Sequence, residues 1–200
     1  ATGRLDYTQV FLDVASTMAD ADLTVLNFEG NLSGEPYGTA RTSAPKEILD
    51  GLRNMGVDLV QTANSCAINN GLIGLKSTLG AIRNAGLEPL GAYGSSEEFE
   101  ASKGFTLRSI RGVKVAFVSF TKGMDNLGLP AGSESCVNVL YKDYSTDYKK
   151  VDTERIDRVL DNVRQEQPDL TIAMVHWGSE LSDQNSKSQK KISTLLQDEG

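Results

Sequence analysis

Apolar residues in this chain repeat with two different periods, and the switches between them predict alternating helices and strands. From Tyr7 onward, Phe11, Val14 and Met18 fall on one helical face, and the β-rich run DLTVLNF at 22–28 then reads as a buried strand. In APKEILDGLRNMG (44–56), Ile48, Leu49, Leu52 and Met55 share a helical stripe, while Pro45 suits a first turn and Gly56 a stop. VDLVQTAN (57–64) predicts a second strand. GLIGLKSTLGAIRNAG (71–86) repeats the helical pattern through Leu72, Leu75, Leu79 and Ile82, with Gly86 closing it, and LEPLGAY (87–93) follows as a third strand.

The middle of the chain breaks this alternation. GFTLRSIRGVKVAFVSFT (104–121) holds two β-rich runs around Arg111 and Gly112, the pattern of a hairpin with a two-residue turn. From Lys122 to Lys150 the composition turns to Gly, Ser, Asp and Tyr, which predicts a long irregular insertion of the kind that carries function or moves. Asp152 then caps a helix that buries Ile156, Val159, Leu160 and Val163 and stops at Pro168. DLTIAMVHWG (169–178) is the last strand and NSKSQKKISTLLQDEG (185–200) a last amphipathic helix. The expected fold is α/β: one domain over 1–200, helices packed on a largely parallel sheet, with one antiparallel hairpin added. Ligands of such sheets sit beyond the carboxyl ends of the strands, so the strand-to-loop junctions are the places to search.

Charge and cysteine content narrow the function. Twenty basic residues against 27 acidic ones leave a net charge of −7, and without a cluster of basic side chains such a surface repels phosphate backbones. The pair Lys149/Lys150 and the group Lys187/Lys190/Lys191 read as solvated faces, so nucleic acid is not an expected partner. Two cysteines, Cys66 and Cys136, are too few and too far apart for a disulfide scaffold or a cysteine zinc site. No apolar run approaches the ~20 residues of a membrane span. The absence of an initial methionine and the stop at LLQDEG lead us to expect truncation at both ends.

Three junctions end in side chains able to bind a metal or hold a phosphate: Asn27 and Glu29 in NFEG, Asn64 in TANS, and His176 in VHWG. A borderline ion such as manganese or zinc accepts carboxylate, amide and imidazole together. Each residue also has a plainer reading. A lone histidine often serves as a hydrogen-bonded structural group, a glutamate can open a loop, and an asparagine after a strand can hold a turn. Cys66 follows Asn64 by two residues, but a cysteine dyad would have to use His176, the single histidine. GAYGSS lacks a full phosphate-cradling pattern, and Tyr141, Tyr144 and Tyr148 read as a packed or adhesive loop.

Taken in order, ADLTVLNFEGNLSG, GVDLVQTANSCAINNGLIGLKSTLGAIRNAGLEPLGAY, IRGVKVAFVSFT and IAMVHWGSEL with SQKKISTLL resemble the bacterial CapA-type capsule synthesis family, associated with poly-γ-glutamate capsules. That family is similar in architecture to calcineurin-like metallophosphatases, which implies a layered α/β sandwich with metal ligands on loops after strands. The resemblance implies that Glu29, Asn64 and His176 occupy metal positions, that Asn64 and His176 occupy catalytic ones, and that Asn27, Cys66 and Glu180 face substrate. Where the family has asparagine and histidine after Asn64, this chain has Ser65 and Cys66, and Asn69 stands where an aspartate is usual. The family's opening Gly-Asp and closing Gly-x-His-x-His segments are absent.

Three functions follow as expectations. The first is a capsule-assembly component whose cleft, possessing the metallophosphatase plan in degenerate form, binds an anionic polymer such as poly-γ-glutamate. The second is an active metal-dependent phosphoesterase, and the third a non-catalytic module that holds a polymer or protein. A divalent manganese or zinc ion is expected in the full-length protein and weak or no metal binding in these 200 residues. The resemblance also implies an extracytoplasmic position at the cell surface, tethered to the membrane through a segment outside this chain. An acidic domain handling an acidic polymer needs local positive charge, for which Arg41, Lys122 and Lys142 are the candidates.

Overall fold

The alternation of helix and strand is realised, but the strands divide between two sheets. A computed structural model describes residues 5–38 and 43–198. A 3-10 turn at Thr8–Phe11 leads into α1 (Leu12–Ala19), followed by β1 (Val25–Asn27), α2 (Ile48–Asn54), β2 (Leu59–Gln61), α3 (Gly71–Asn84) and β3 (Glu88–Leu90). Then come α4 (Ser96–Ser102), β4 (Phe105–Ile110), β5 (Val113–Thr121), α5 (Thr153–Glu166), β6 (Leu170–His176) and α6 (Lys187–Asp198). The first sheet is wholly parallel in the order β1-β2-β3, and the second is mixed in the order β4-β5-β6, antiparallel then parallel. The α/β class, the mostly parallel pairing and the added hairpin are as expected, and the two sheets are compatible with a layered sandwich; one sheet read from the pattern becomes a parallel sheet and a mixed one.

The reason lies in β5, which is apolar on both faces. Val115 and Phe117 meet Leu59 and Leu90 of the first sheet in one buried cluster. Ala116, Val118 and Phe120, one residue out of phase, pack instead on Ile156, Val159, Leu160 and Val163 of α5 and on Ile192 of α6. On the far side of the first sheet, Val60 packs on Leu49, Leu52, Met55 and Ile82 from α2 and α3. The layers are helices, sheet, sheet, helices. Gly91, just past β3, makes the close approach of the sheets feasible: a Cβ there would lie 2.7 Å from both Ala63 Cβ and Ser119 Oγ.

The hairpin forms as expected, with Ile110 paired to Val113 and positive φ at both Arg111 (49°) and Gly112 (88°). Asp152 caps α5 by accepting the Arg155 N–H at 3.3 Å. Two features were not anticipated. Helix α4 is seven residues long with Phe99 as its one buried residue, too short to show a period; Ser95 caps it by accepting the Glu98 N–H at 3.3 Å. The 122–150 segment is irregular yet built into the core. Its Asn138 N–H donates to Gly91 O and its Leu140 N–H to Thr121 O, while Thr121 N–H donates to Asn138 O, so the segment ties the end of β3 to the end of β5. Met124, Cys136, Val137, Val139, Leu140 and Tyr141 are buried.

Candidate functional site

Parallel strands end on the same side, and the loops that follow β1, β2 and β6 meet there. Pairing of Asn27 with Gln61 sets the ends of β1 and β2 side by side, and pairing of Thr121 with His176 does the same for β5 and β6. The face-to-face packing of the sheets then brings the two edges together. Glu29 and His176, 147 positions apart in sequence by their numbers, come within 3.3 Å, Oε1 to Nε2. The contact joins a residue following the first sheet to one ending the second.

Asn64 is the anchor of this arrangement. Its Nδ2 donates to Asn27 Oδ1 at 2.9 Å and to the Phe28 carbonyl at 2.8 Å, and its Oδ1 accepts the Cys66 N–H at 3.0 Å. With both atoms of the amide bonded and only 1% of the residue exposed, Asn64 fixes the loop after β2 onto the loop after β1. Cys66 is buried as well. Its carbonyl accepts from Asn31 Nδ2 at 2.5 Å, and its Sγ lies 3.8 Å from Ser65 Oγ.

Ser65 enters the site in its own right. Its hydroxyl donates to Glu29 Oε1 at 2.6 Å, the same oxygen that His176 approaches. The sequence reading treated Ser65 only as a departure from a family pattern. Its position directly after Asn64 at a strand-to-loop junction was the signal that could have found it. Asn27 is exposed at the end of β1 and holds Asn64, whereas Glu180 lies on an exposed turn with no hydrogen bond to the cluster. The structure thus brings Asn27, Glu29, Asn64, Ser65 and His176 together, buries Cys66 beside them and leaves Glu180 apart.

The open part of the crevice offers one carboxylate, one imidazole and one hydroxyl; the Glu29 and His176 side chains are 44% and 30% exposed. Among the described residues, no three His, Cys, Asp or Glu side chains converge closely enough to hold a metal ion. Glu29 and His176 give two strong donors, fewer than the four ligands of a tetrahedral zinc. This donor set alone therefore does not make a metal centre.

Positive charge at this edge comes from Lys122. Its backbone N–H donates to the His176 carbonyl at 2.8 Å, and its Nζ donates to the Gly178 carbonyl at 2.7 Å while lying 5.0 Å from the centre of the Tyr148 ring. Of the other two candidates, Lys142 is paired with Glu154 at 3.1 Å and Arg41 lies outside the described residues. Burial pushes the Tyr141 phenol above its ordinary value; a hydrogen bond with Ser188 opposes the rise and the Asp143 carboxylate adds to it.

Comparison with known proteins places these features in context. The family model for the bacterial capsule synthesis protein PGA_cap matches residues 1–200. The chain is similar to the capsule biosynthesis protein CapA of Bacillus anthracis, with 25% identity over 203 residues covering 96% of this chain and 46% of that protein. It is also similar to the PGA biosynthesis protein CapA of Bacillus subtilis (strain 168), with 24% identity over 155 residues covering 78% of this chain and 37% of that protein. The chain spans less than half the length of either relative.

Proposed function

The chain belongs to the bacterial capsule synthesis family, and from that premise we propose that its crevice binds an anionic capsule polymer, such as poly-γ-glutamate, during assembly outside the cytoplasmic membrane. The observation that carries this reading is the meeting of His176, Glu29 and Ser65 across the two sheets. A polymer carboxylate or phosphate-like group binds by displacing Glu29 as the acceptor of the Ser65 hydroxyl and the His176 Nε2–H, which Glu29 holds in place through one oxygen until then. Asn64, consumed by its own hydrogen bonds, positions the loops and does not itself contact ligand.

On this reading the metallophosphatase-like plan is retained in degenerate form. A divalent ion at Glu29 and His176 in the intact protein would offset the repulsion between Glu29 and an acidic polymer, and the remaining ligands would come from outside the described residues.

Calorimetric titration of γ-linked glutamate oligomers into the full-length protein tests the reading, without metal and with manganese or zinc. His176→Ala is expected to weaken binding about tenfold, the loss of one charge-assisted hydrogen bond. Unchanged affinity in that variant would remove the crevice from consideration. The close approach of Glu29 to His176 also favours a second reading, a metal-dependent phosphoesterase. It requires turnover of an aryl phosphate with manganese that Glu29→Ala abolishes; no turnover with any divalent metal ends it.

A further inference from the structure

Lys122 presents a site that the crevice does not use. Thr121, the last residue of β5, is paired with His176, and Lys122 follows it directly, its backbone N–H donating to the His176 carbonyl at 2.8 Å. The ammonium therefore lies beside the His176–Gly178 segment, whose histidine reaches Glu29 with its ring. Its hydrogen bond to the Gly178 carbonyl and its place over Tyr148 hold it there.

The holder is elaborately built. Tyr148 adopts φ 53°, a region that non-glycine residues rarely enter. Its ring meets Tyr141 edge-on with centroids 6.1 Å apart, and its hydroxyl donates to Asn126 Oδ1 at 3.0 Å. The fit over Gly123 leaves no room for a side chain, because a Cβ there would lie 2.4 Å from the Tyr144 carbonyl and 2.5 Å from Tyr148 Cε1. A strained aromatic, a second aromatic and an obligatory glycine thus fix one lysine ammonium whose partners are a carbonyl and a ring face. Neither cancels a full charge, and no carboxylate lies within ion-pair distance of it among the described residues. Lys142, by contrast, is neutralised by Glu154.

We propose that Lys122 is a second anion-binding point, which works together with the His176 side of the crevice to hold an extended polymer bearing repeated carboxylates across the His176–Gly178 segment. This rests on the reading of the crevice as a polymer site and specifies how length is recognised. Two points tied by one ligand raise each other's effective concentration, so an oligomer that reaches both binds more tightly than a monomer that reaches one. The net charge of −7 disfavours the approach of an acidic polymer, which a local cation offsets.

The test compares long and short ligands on the full-length protein: a γ-linked glutamate decamer, and free glutamate or inorganic phosphate. Lys122→Met, which keeps the apolar stem over Tyr148, is expected to weaken decamer binding about tenfold and short-anion binding by a smaller factor, so that the decamer loses most of its advantage. Lys122→Arg is expected to restore the decamer, and His176→Ala to weaken both classes. Decamer affinity in Lys122→Met equal to that of the unmodified protein overturns the role of Lys122 while sparing the crevice. Equal affinity of the unmodified protein for decamer and monomer overturns it too, and no decamer binding at all removes both readings. Acylation footprinting of the unmodified protein reads the same point without a variant: the decamer should protect Lys122, and undiminished labelling of Lys122 at saturating decamer contradicts the proposal.

Discussion

At the β2 end of the crevice Asn64 is 1% exposed and its amide is bonded at both atoms, whereas at the β6 end the His176 side chain is 30% exposed and touches a single oxygen of Glu29. Both residues follow strands of the same polarity and both were expected to serve as ligands. The difference is one of accounting for polar atoms. A buried amide must satisfy its donors and acceptor inside the protein, so Asn64 is committed to holding loops together. A partly exposed imidazole has water for a partner and is free to exchange it for a ligand.

That contrast can be broken most forcefully at Asn64. Asn64→Ala strands the Phe28 carbonyl and the Cys66 N–H, and should cost about 2–4 kcal/mol, lowering the thermal midpoint by roughly 5–15 °C. A midpoint within 2 °C of the unmodified protein, a margin of about 1 kcal/mol, would mean that the amide does not anchor the loops. Next in size is Gly91→Ala, which places a methyl between the sheets against Ala63 and Ser119 and should destabilise by about 2 kcal/mol in denaturant titration. If the protein absorbs that methyl without loss, the sheets are less tightly apposed than their contacts indicate.

The β6 end should respond in the opposite manner. His176→Ala is expected to change stability by less than about 1 kcal/mol, the worth of a half-exposed pair, while weakening oligomer binding about tenfold. A large stability loss there would erase the distinction between the two ends. The smallest effect belongs to Ser65→Ala, under about 0.5 kcal/mol in stability with a few-fold loss of affinity. An affinity unchanged within error would show that Ser65 only fills space beside Glu29.

Element types were legible wherever a period ran long enough. Leu72, Leu75, Leu79 and Ile82 announced α3, and Arg111-Gly112 announced the hairpin turn. The seven-residue α4 was not, because Phe99 alone defines no period. The division into two sheets was also hidden: β5 reads as one apolar run, and nothing local says that Phe117 faces a sheet while Val118 faces helices. For the site, strand-end logic picked Asn27, Glu29, Asn64 and His176, which do assemble. It could not separate the satisfied amide from the open imidazole, since that depends on partners such as Phe28 O, supplied by another loop. Ser65 was named only as a departure from a family pattern, although it stands at the same junction as Asn64; its partner Glu29 comes from another loop, 2.6 Å away.

The glycine at position 91 has a mechanical corollary. Ser119 of the second sheet lies so close to it that an added Cβ would fall 2.7 Å from its Oγ, so a larger residue there would wedge the sheets apart and strain the contact between Glu29 and His176. The spacing of the two sheets, and with it the reach from Glu29 to His176, is thus set by a position in the seam that carries no side chain.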